Sequence, residues 1–182
     1  MGKLYVISGS SGVGKGTVIN EFLRRHPEFK LSISCTTRNK REGEENGVNY
    51  FFLSAEEFKT CAENNEFLEW AEFSGNCYGT KKAFVDKCLK NGENLILEID
   101  TKGALNVKKI MPEAILIFIA PPSFEELEAR LRGRHTETED AIQKRLASIK
   151  SEIENSKFYD YTVINDTVEN AVKKLEEITS KD

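Results

Sequence analysis

The 182-residue sequence has few of the side chains that build disulfide frameworks or structural metal sites. Its four cysteines form no C-x-x-C pair, and neither of its two histidines stands at a metal-like spacing from them. We therefore expect reduced, mostly buried thiols and no disulfide framework. The cysteines are Cys35, Cys61, Cys77 and Cys88, and the histidines are His26 and His135.

Membrane signals and excess positive charge are lacking as well. No apolar run approaches the roughly 18 residues of a membrane-spanning helix, and the N-terminus leads into a strand-like run without a signal-peptide pattern. The formal net charge of -4 and the isoelectric point near 5.5 argue against general nucleic-acid binding. We expect a cytoplasmic, globular protein of one domain with small insertions, without nucleic acid or membrane as a partner.

A glycine-rich segment between a strand pattern and a helix pattern is the strongest signal present. Its glycines let successive backbone N–H groups converge on phosphate oxygens at the positive end of a helix dipole, and Lys15 adds a mobile charge. A turn that merely joins strand to helix would not explain a lysine at the helix start, where a cation opposes the dipole. The candidate ATP-binding residues are Gly9, Ser10, Ser11, Gly12, Val13, Gly14, Lys15, Gly16 and Thr17.

This segment departs from G-x-x-x-x-G-K-[ST] at one position. Gly16 replaces the hydroxyl residue that normally contacts Mg²⁺, and Thr17 follows one place later, as in adenylate kinases. The protein contacts of the metal are therefore open, although Mg²⁺ itself is expected.

Short apolar runs at residues 4–7, 95–99, 114–120 and 161–164, each followed by a helical pattern, predict an α/β fold. Such runs indicate a mostly parallel sheet with helices on both faces and a ligand site at the carboxyl ends of the strands. Capping-box patterns at Ser54 and Ser123 predict helix starts, and Gly92 predicts the end of a helix that begins near Thr80.

Two stretches interrupt this alternation of strands and helices. Residues 30–80 are turn-rich, with candidate strands at 30–34, 48–53 and 67–73 around a short helix, which predicts an inserted mixed α/β subdomain. Residues 121–147 contain two helical segments around the polar stretch 133–138, which predicts a helical lid. The P-loop core then comprises residues 1–29, 81–120 and 148–182.

Arginines are concentrated in these two stretches, which hold six of the eight. The planar guanidinium suits bidentate phosphate contact, so two separate clusters suit two phosphorylated ligands. For Arg130 and Arg132, a surface ion pair with a glutamate is an equally good interpretation. The six are Arg38, Arg41, Arg130, Arg132, Arg134 and Arg145.

The motifs in these stretches, taken in order, resemble the guanylate kinase family over nearly the whole chain. The first GMP-binding segment is similar to Ser34-Cys35-Thr36-Thr37-Arg38, Arg41, Gly43-Glu44 and Gly47-Val48-Asn49-Tyr50, and the second to Glu66–Ala71 and Gly75–Thr80 as numbered in this chain. The lid is similar to residues 119–123, 133–138 and 144–146. Several motifs in order are far more specific than a phosphate-binding loop alone.

The resemblance implies in-line phosphoryl transfer from ATP to GMP, with dGMP as an alternative acceptor and a monomer or homodimer as the active form. Lys15, Arg134 and Arg145 would act on the transferred group, and Mg²⁺ would accompany ATP, with Thr17 and Asp100 as candidate metal contacts. Glu69 would accept hydrogen bonds from guanine N1–H and the exocyclic amine. The remaining GMP-binding residues implied are Ser34, Arg38, Arg41, Tyr50, Tyr78, Thr80 and Asp100.

Other interpretations of these positions stay open at the level of sequence. The tyrosines are also typical of half-buried aromatics, Glu69 of the solvent face of a strand, and Asp100 of a helix cap. Departures from the family pattern are Gly16, Glu98, Thr101-Lys102 and His135. The alternatives to a guanylate kinase are a non-catalytic peptide-binding scaffold and a kinase for another nucleoside monophosphate.

Overall fold

A computed structural model describes residues 1–10, 12–73, 75–132 and 139–181 of the chain. The strands are β1 (Leu4–Gly9), β2 (Phe29–Leu31), β3 (Cys35–Thr36), β4 (Phe51–Phe52), β5 (Phe67–Phe73), β6 (Asn76–Lys81), β7 (Asn94–Glu98), β8 (Ile115–Ala120) and β9 (Tyr161–Ile164). The helices are α1 (Lys15–Arg25), α2 (Ala55–Glu63), α3 (Lys82–Lys90), α4 (Thr101–Ile110), α5 (Phe124–Arg132), α6 (Glu139–Glu154) and α7 (Val168–Lys181).

A five-stranded parallel sheet in the order β2-β7-β1-β8-β9 forms the core. All six residues of β1 are buried, because side chains leave a central strand on both faces and helices cover each face. One apolar cluster joins β1 to α1 and α7 through residues such as Val18 and Leu175, and the other joins it to α3 and α4 through Val85 and Val107. This confirms the predicted α/β fold with a parallel sheet and helices on both faces.

A second, mixed sheet in the order β4-β3-β6-β5 follows in the chain. Strands β5 and β6 are an antiparallel pair in which Glu69 stands opposite Thr80, with an irregularity between Phe67 and Glu69. The helix α2 begins with the predicted capping box, since Ser54 and Glu57 exchange side-chain to backbone hydrogen bonds. Phe58 of this helix packs against Phe67 with ring centroids 4.4 Å apart.

Two strand predictions differ from the structure. The strand predicted at residues 30–34 is β2, which pairs with β7 in the core sheet because Phe29 is buried in the core cluster. Of the strand predicted at residues 48–53, only the two residues of β4 form a strand. The chain turns at Gly47, whose φ is 78°, just before the predicted start. The first strand of the second sheet along the chain is therefore β3, and both β3 and β6 lie in stretches for which no strand was predicted.

The helices α5 and α6 pack together through a small apolar cluster of their own, which includes Leu127 and Ile149. Ser123 caps α5 by accepting the N–H of Glu126 at 3.1 Å, as the capping-box pattern predicts. The helix α3 ends before Gly92, whose φ is 79°, again as predicted. Among the described residues, none of the helices combines the length and apolarity needed to span a membrane.

Candidate active site

The glycine-rich segment forms the turn between β1 and α1. Gly12 and Gly14 have φ values of 81° and 88°, a region that side chains with a Cβ rarely adopt. Gly14 is the N-cap of α1 and has no side chain with which to cap it, so the helix N-terminus presents backbone N–H groups. This geometry is that of a phosphate-binding loop at a positive helix end. Ser11 lies outside the described residues.

Two side chains stabilise the loop from either end. Lys15 Nζ donates to the carbonyl of Gly9 at 3.1 Å, which holds the ammonium group over the loop. Asn165, which follows β9, is buried, and its Nδ2 donates to the carbonyl of Val13 at 2.7 Å. A Cβ on Gly14 would lie only 2.9 Å from this Nδ2, so the close approach of Asn165 requires glycine there.

Two acidic residues lie at the carboxyl end of β7, where the chain approaches the loop. Glu98 pairs with Ile7 of β1, the N–H of Ile99 donates to the Ile7 carbonyl at 3.3 Å, and Asp100 follows directly. The Glu98 Oε1 atom lies 3.9 Å from where a Cβ on Gly16 would stand. Asp100 caps α4, because its Oδ1 accepts the N–H of Gly103 at 2.7 Å. The helix-cap interpretation of Asp100 is therefore correct, and the cap also holds its carboxylate at this edge of the sheet.

Glu69 lies where the second sheet meets the first turn of α4. Thr80 Oγ1 donates to Glu69 Oε1 at 2.7 Å. A Cβ on Gly103 would come within 2.8 Å of Glu69 Oε2, so the carboxylate occupies space that only glycine leaves open. Ser34 immediately precedes β3, whose Cys35 pairs with Gly79, and it therefore lies level with Thr80. Glu69 faces this junction rather than the solvent side of a strand.

The electrostatics of this junction act on the Glu69 carboxyl. Burial raises the pKa of Glu69 to about 7, with the Asp100 charge acting in the same direction and the hydrogen bond from Thr80 opposing both. A carboxyl held partly protonated at neutral pH is poised to ionise when hydrogen-bond donors arrive.

Arg38 lies in a second cluster, with Tyr50 and Tyr78. The Arg38 Cζ atom lies 5.4 Å from the centroid of the Tyr50 ring, and the rings of Tyr50 and Tyr78 meet edge to face at 6.2 Å. Burial raises the pKa of the Tyr50 phenol, which therefore stays a neutral hydroxyl donor. One guanidinium and two phenols thus converge on one place in the second sheet.

The other predicted arginines fall elsewhere. The side chain of Arg41 is exposed, in the loop between Arg38 and Glu44. Arg134 and the side chain of Arg145 lie outside the described part of the structure. Arg132 bonds Glu128 Oε1 at 2.8 Å and also pairs with Glu139, as the ion-pair interpretation predicts.

Thr17 is exposed and lines a groove between α1 and α7 that Asn20 and Val168 also line. Among the described residues, no group of three or more His, Cys, Asp or Glu side chains is arranged to hold a metal ion. The metal contacts of Thr17 and Asp100 stay predictions.

Three residues that support this site were not assigned a role from the sequence. Glu44 bonds Arg38, Asn165 bonds the phosphate loop, and Gly103 makes room for Glu69. Glu44 had a signal, since it belongs to the first GMP-binding segment, and Asn165 had a weaker one as a polar residue directly after a strand. Gly103 had none, because its neighbour Glu69 is remote in sequence.

The comparisons with known proteins agree on one family. The whole chain, residues 1–182, matches the family model described as guanylate kinase. A guanylate kinase of Synechococcus sp. (strain CC9311) is 50% identical over 171 residues, which are 94% of this chain and 90% of that protein. One of Bacillus anthracis is 52% identical over 178 residues, 97% of this chain and 87% of that protein. The crystal structure of guanylate kinase from Anaplasma phagocytophilum has a TM-score of 0.79 at 31% identity, covering 99% of this chain and 85% of that one.

Proposed function

The chain belongs to the guanylate kinase family, and from this premise we propose how its residues divide the transfer of a phosphoryl group from ATP to GMP. Identity near one half over almost the full length favours this enzyme over a peptide-binding scaffold or a kinase for another nucleoside monophosphate. The phosphate loop holds the donor, the second sheet holds the acceptor, and the edge beside Asp100 lies between them.

Recognition of the donor rests on the loop from Gly9 to Thr17. Its backbone N–H groups and the Lys15 ammonium neutralise the ATP phosphates, and Asn165 keeps the loop in shape through the Val13 carbonyl. Because Lys15 is already held by the Gly9 carbonyl at 3.1 Å, little reorganisation precedes donor binding.

Recognition of the acceptor base rests on Glu69, and this is the observation that carries the proposal. Its carboxyl is partly buried beside Thr80 and the α4 N-terminus, and in the ionised form it only accepts hydrogen bonds, so a ligand that binds this form must supply donors. Guanine offers N1–H and the exocyclic amine side by side, whereas adenine offers neither at those positions. The Ser34 and Thr80 hydroxyls lie at the same level, where we place guanine O6.

Recognition of the acceptor phosphate rests on Arg38, Tyr50 and Tyr78, with Arg41 from the adjoining loop. A guanidinium and two neutral phenols supply the donors that a phosphate monoester requires. With base and phosphate fixed, a GMP phosphate oxygen attacks the ATP γ-phosphorus in line, and no nucleophilic side chain takes part. We propose that Arg134 and Arg145 close over the transferred group and exclude water.

The residues at the β7 end fit a magnesium ion bound with ATP. Glu98 Oε1 lies 3.9 Å from where a Cβ on Gly16 would stand, and Asp100 follows two residues later at the same end of β7, so carboxylate oxygens, the ligands that Mg²⁺ prefers, lie at the strand end next to the phosphate loop. Such ions are usually held by one or two carboxylates together with substrate phosphates. When bound, Mg²⁺ supplies charge neutralisation at the β- and γ-phosphates. We place this reaction in the cytoplasm, where both nucleotides occur.

A coupled assay that compares GMP, dGMP, AMP and dTMP as acceptors tests this proposal. GMP should exceed AMP in kcat/KM by several orders of magnitude, because adenine leaves the Glu69 carboxylate unpaired at about 1–3 kcal/mol per lost contact, and more for a buried charge. Glu69→Ala should collapse GMP use mainly by raising KM. Comparable turnover of AMP, or a GMP kcat/KM within about threefold of the unaltered enzyme in Glu69→Ala, would contradict the assignment.

A further inference from the structure

The contacts of Arg38 use one end of its guanidinium. The Nη1 atom donates to Glu44 Oε2 at 3.0 Å and to the Asn39 carbonyl at 2.7 Å. The Nη2 atom donates to Glu44 Oε1 at 2.7 Å. Both side chains of this pair are mostly buried, with 14% and 18% of their surface exposed, so the geometry is not that of a loose surface contact.

The donors that remain all point along one edge. A guanidinium has five N–H donors, and Glu44 with the Asn39 carbonyl accounts for three of them. The other two are Nε–H and the N–H of Nη2 on the same side as Nε, and these two bonds lie side by side and parallel. Within the described part of the chain, neither has a hydrogen-bond partner. A pair of parallel donors at this spacing matches two oxygens of one phosphate group.

Glu44 also fixes the neighbouring backbone. Its Oε2 accepts the N–H of Arg41 at 2.8 Å, so one carboxylate bonds both the side chain of Arg38 and the chain that carries Arg41. These hydrogen bonds, the one from Arg38 first, lower the pKa of Glu44 to about 2, which keeps it ionised throughout the physiological range. The rings of Tyr50 and Phe52 flank the guanidinium at 5.4 and 5.8 Å.

We propose that Glu44 is a positioning residue that holds Arg38 by one end and thereby presents its Nε and Nη2 edge to the phosphate of the acceptor nucleotide. The inference rests on the proposed role of Arg38 at the GMP phosphate and adds the residue through which that role is achieved. Glu44 itself does not contact the nucleotide, since a carboxylate beside a phosphate would repel it.

Steady-state kinetics of Glu44→Ala and Glu44→Gln test this inference. Glu44→Ala should raise the KM for GMP about tenfold or more, while kcat and the KM for ATP stay within about threefold, because only acceptor binding loses orientation. Glu44→Gln keeps one acceptor oxygen, and its KM for GMP should lie between those of the unaltered enzyme and Glu44→Ala. The matched control is Glu42→Ala, an exposed glutamate of the same loop, which should change none of these constants.

Guanosine as a competitive inhibitor separates positioning from general damage. It carries the base but no phosphate, so its inhibition constant should be unchanged in Glu44→Ala, whereas disruption of the subdomain would weaken guanosine and GMP alike. An unchanged or lower GMP KM in Glu44→Ala would overturn the inference, as would equal weakening of guanosine. Arg38→Ala distinguishes the two proposals: if it leaves the GMP KM unaltered, the phosphate assignment itself is wrong. If Arg38→Ala weakens GMP and Glu44→Ala does not, only the role of Glu44 is wrong.

Discussion

At the scale of single residues, the charge of Glu69 is coupled to the ligand that it recognises. Burial raises its pKa to about 7 from an ordinary value of 4.5. Two guanine donors stabilise the ionised form and should lower this pKa again. A carboxyl with a raised pKa contributes stability that is fully present below pH 4.5 and is lost as the pH rises through 7. Above pH 7, guanine binding should therefore compensate for the stability that the folded protein loses when Glu69 ionises.

The prediction for Glu69 is that base recognition weakens as the pH falls. Between pH 8 and pH 6 the inhibition constant of guanosine should rise several-fold, approaching about tenfold per unit below the pKa, because the protonated carboxyl accepts poorly. Guanosine is the better probe than GMP, since it lacks a phosphate that titrates near pH 6. Calorimetry in buffers of different ionisation enthalpy should detect release of roughly half a proton at pH 7.

Glu69→Gln provides the control for this proton release. Glutamine has no charge to lose, so its guanosine affinity should be independent of pH over the same interval. An equal pH dependence in Glu69→Gln would assign the titration to another group.

At the scale of elements, the first turn of α4 lies between the two proposed nucleotide sites. Asp100 caps the helix just after β7 of the parallel sheet, and three residues later Gly103 faces Glu69 of the second sheet. The same turn thus carries the Asp100 carboxylate, on the side proposed for the donor, and Gly103, whose lack of a side chain makes room for Glu69 on the side proposed for the acceptor. Strand pairing completes the acceptor side, because β5 and β6 place Glu69 opposite Thr80.

The prediction for this element is that Gly103→Ala weakens GMP binding without lowering the stability of the fold. The new Cβ would lie 2.8 Å from Glu69 Oε2, the far end of a flexible side chain, so the carboxylate moves and the helix stays. Alanine favours the helix by roughly 0.5–1 kcal/mol over glycine, and the melting temperature should hold or rise. The GMP KM should nevertheless increase about tenfold, with the ATP KM unchanged. A lower melting temperature with an unaltered GMP KM would contradict this account.

At the scale of the whole molecule, the proposed function assigns one nucleotide to each sheet. The parallel sheet ends at the phosphate loop, while the mixed sheet carries Glu69 and Arg38. In this proposal, the junction at α4 sets the acceptor beside the donor, which is what in-line transfer requires of a scaffold.

The sequence predicted the parallel sheet well, because buried strands there are near-continuous apolar runs such as residues 114–120. It predicted the second sheet poorly. Strand β3 has only two residues, and the six residues of β6 do not alternate between apolar and polar side chains. Neither strand therefore shows the two-residue hydrophobic period that predicts a strand. The motif residues Arg38 and Glu69 were found by resemblance, whereas Gly103 and Asn165 act through contacts between distant parts of the chain that no local pattern contains.

The division between sheets leads to a prediction for Lys15→Ala. Lys15 is bonded to Gly9 of the phosphate loop, so its loss should cut turnover about 100-fold or more through the donor alone. The acceptor site lies on the other sheet, and GMP affinity should stay within about threefold. Isothermal titration calorimetry with GMP measures that affinity in the variant and in the unaltered protein.

The reciprocal variant is Arg38→Ala, which should weaken GMP binding in the same calorimetric measurement and leave the affinity for ATP intact. The two variants test the division in both directions: the binding or reaction of each nucleotide should be impaired only when the sheet assigned to it is altered. If Lys15→Ala weakens GMP binding as much as it slows turnover, the two nucleotides share determinants, and the assignment of one to each sheet is wrong.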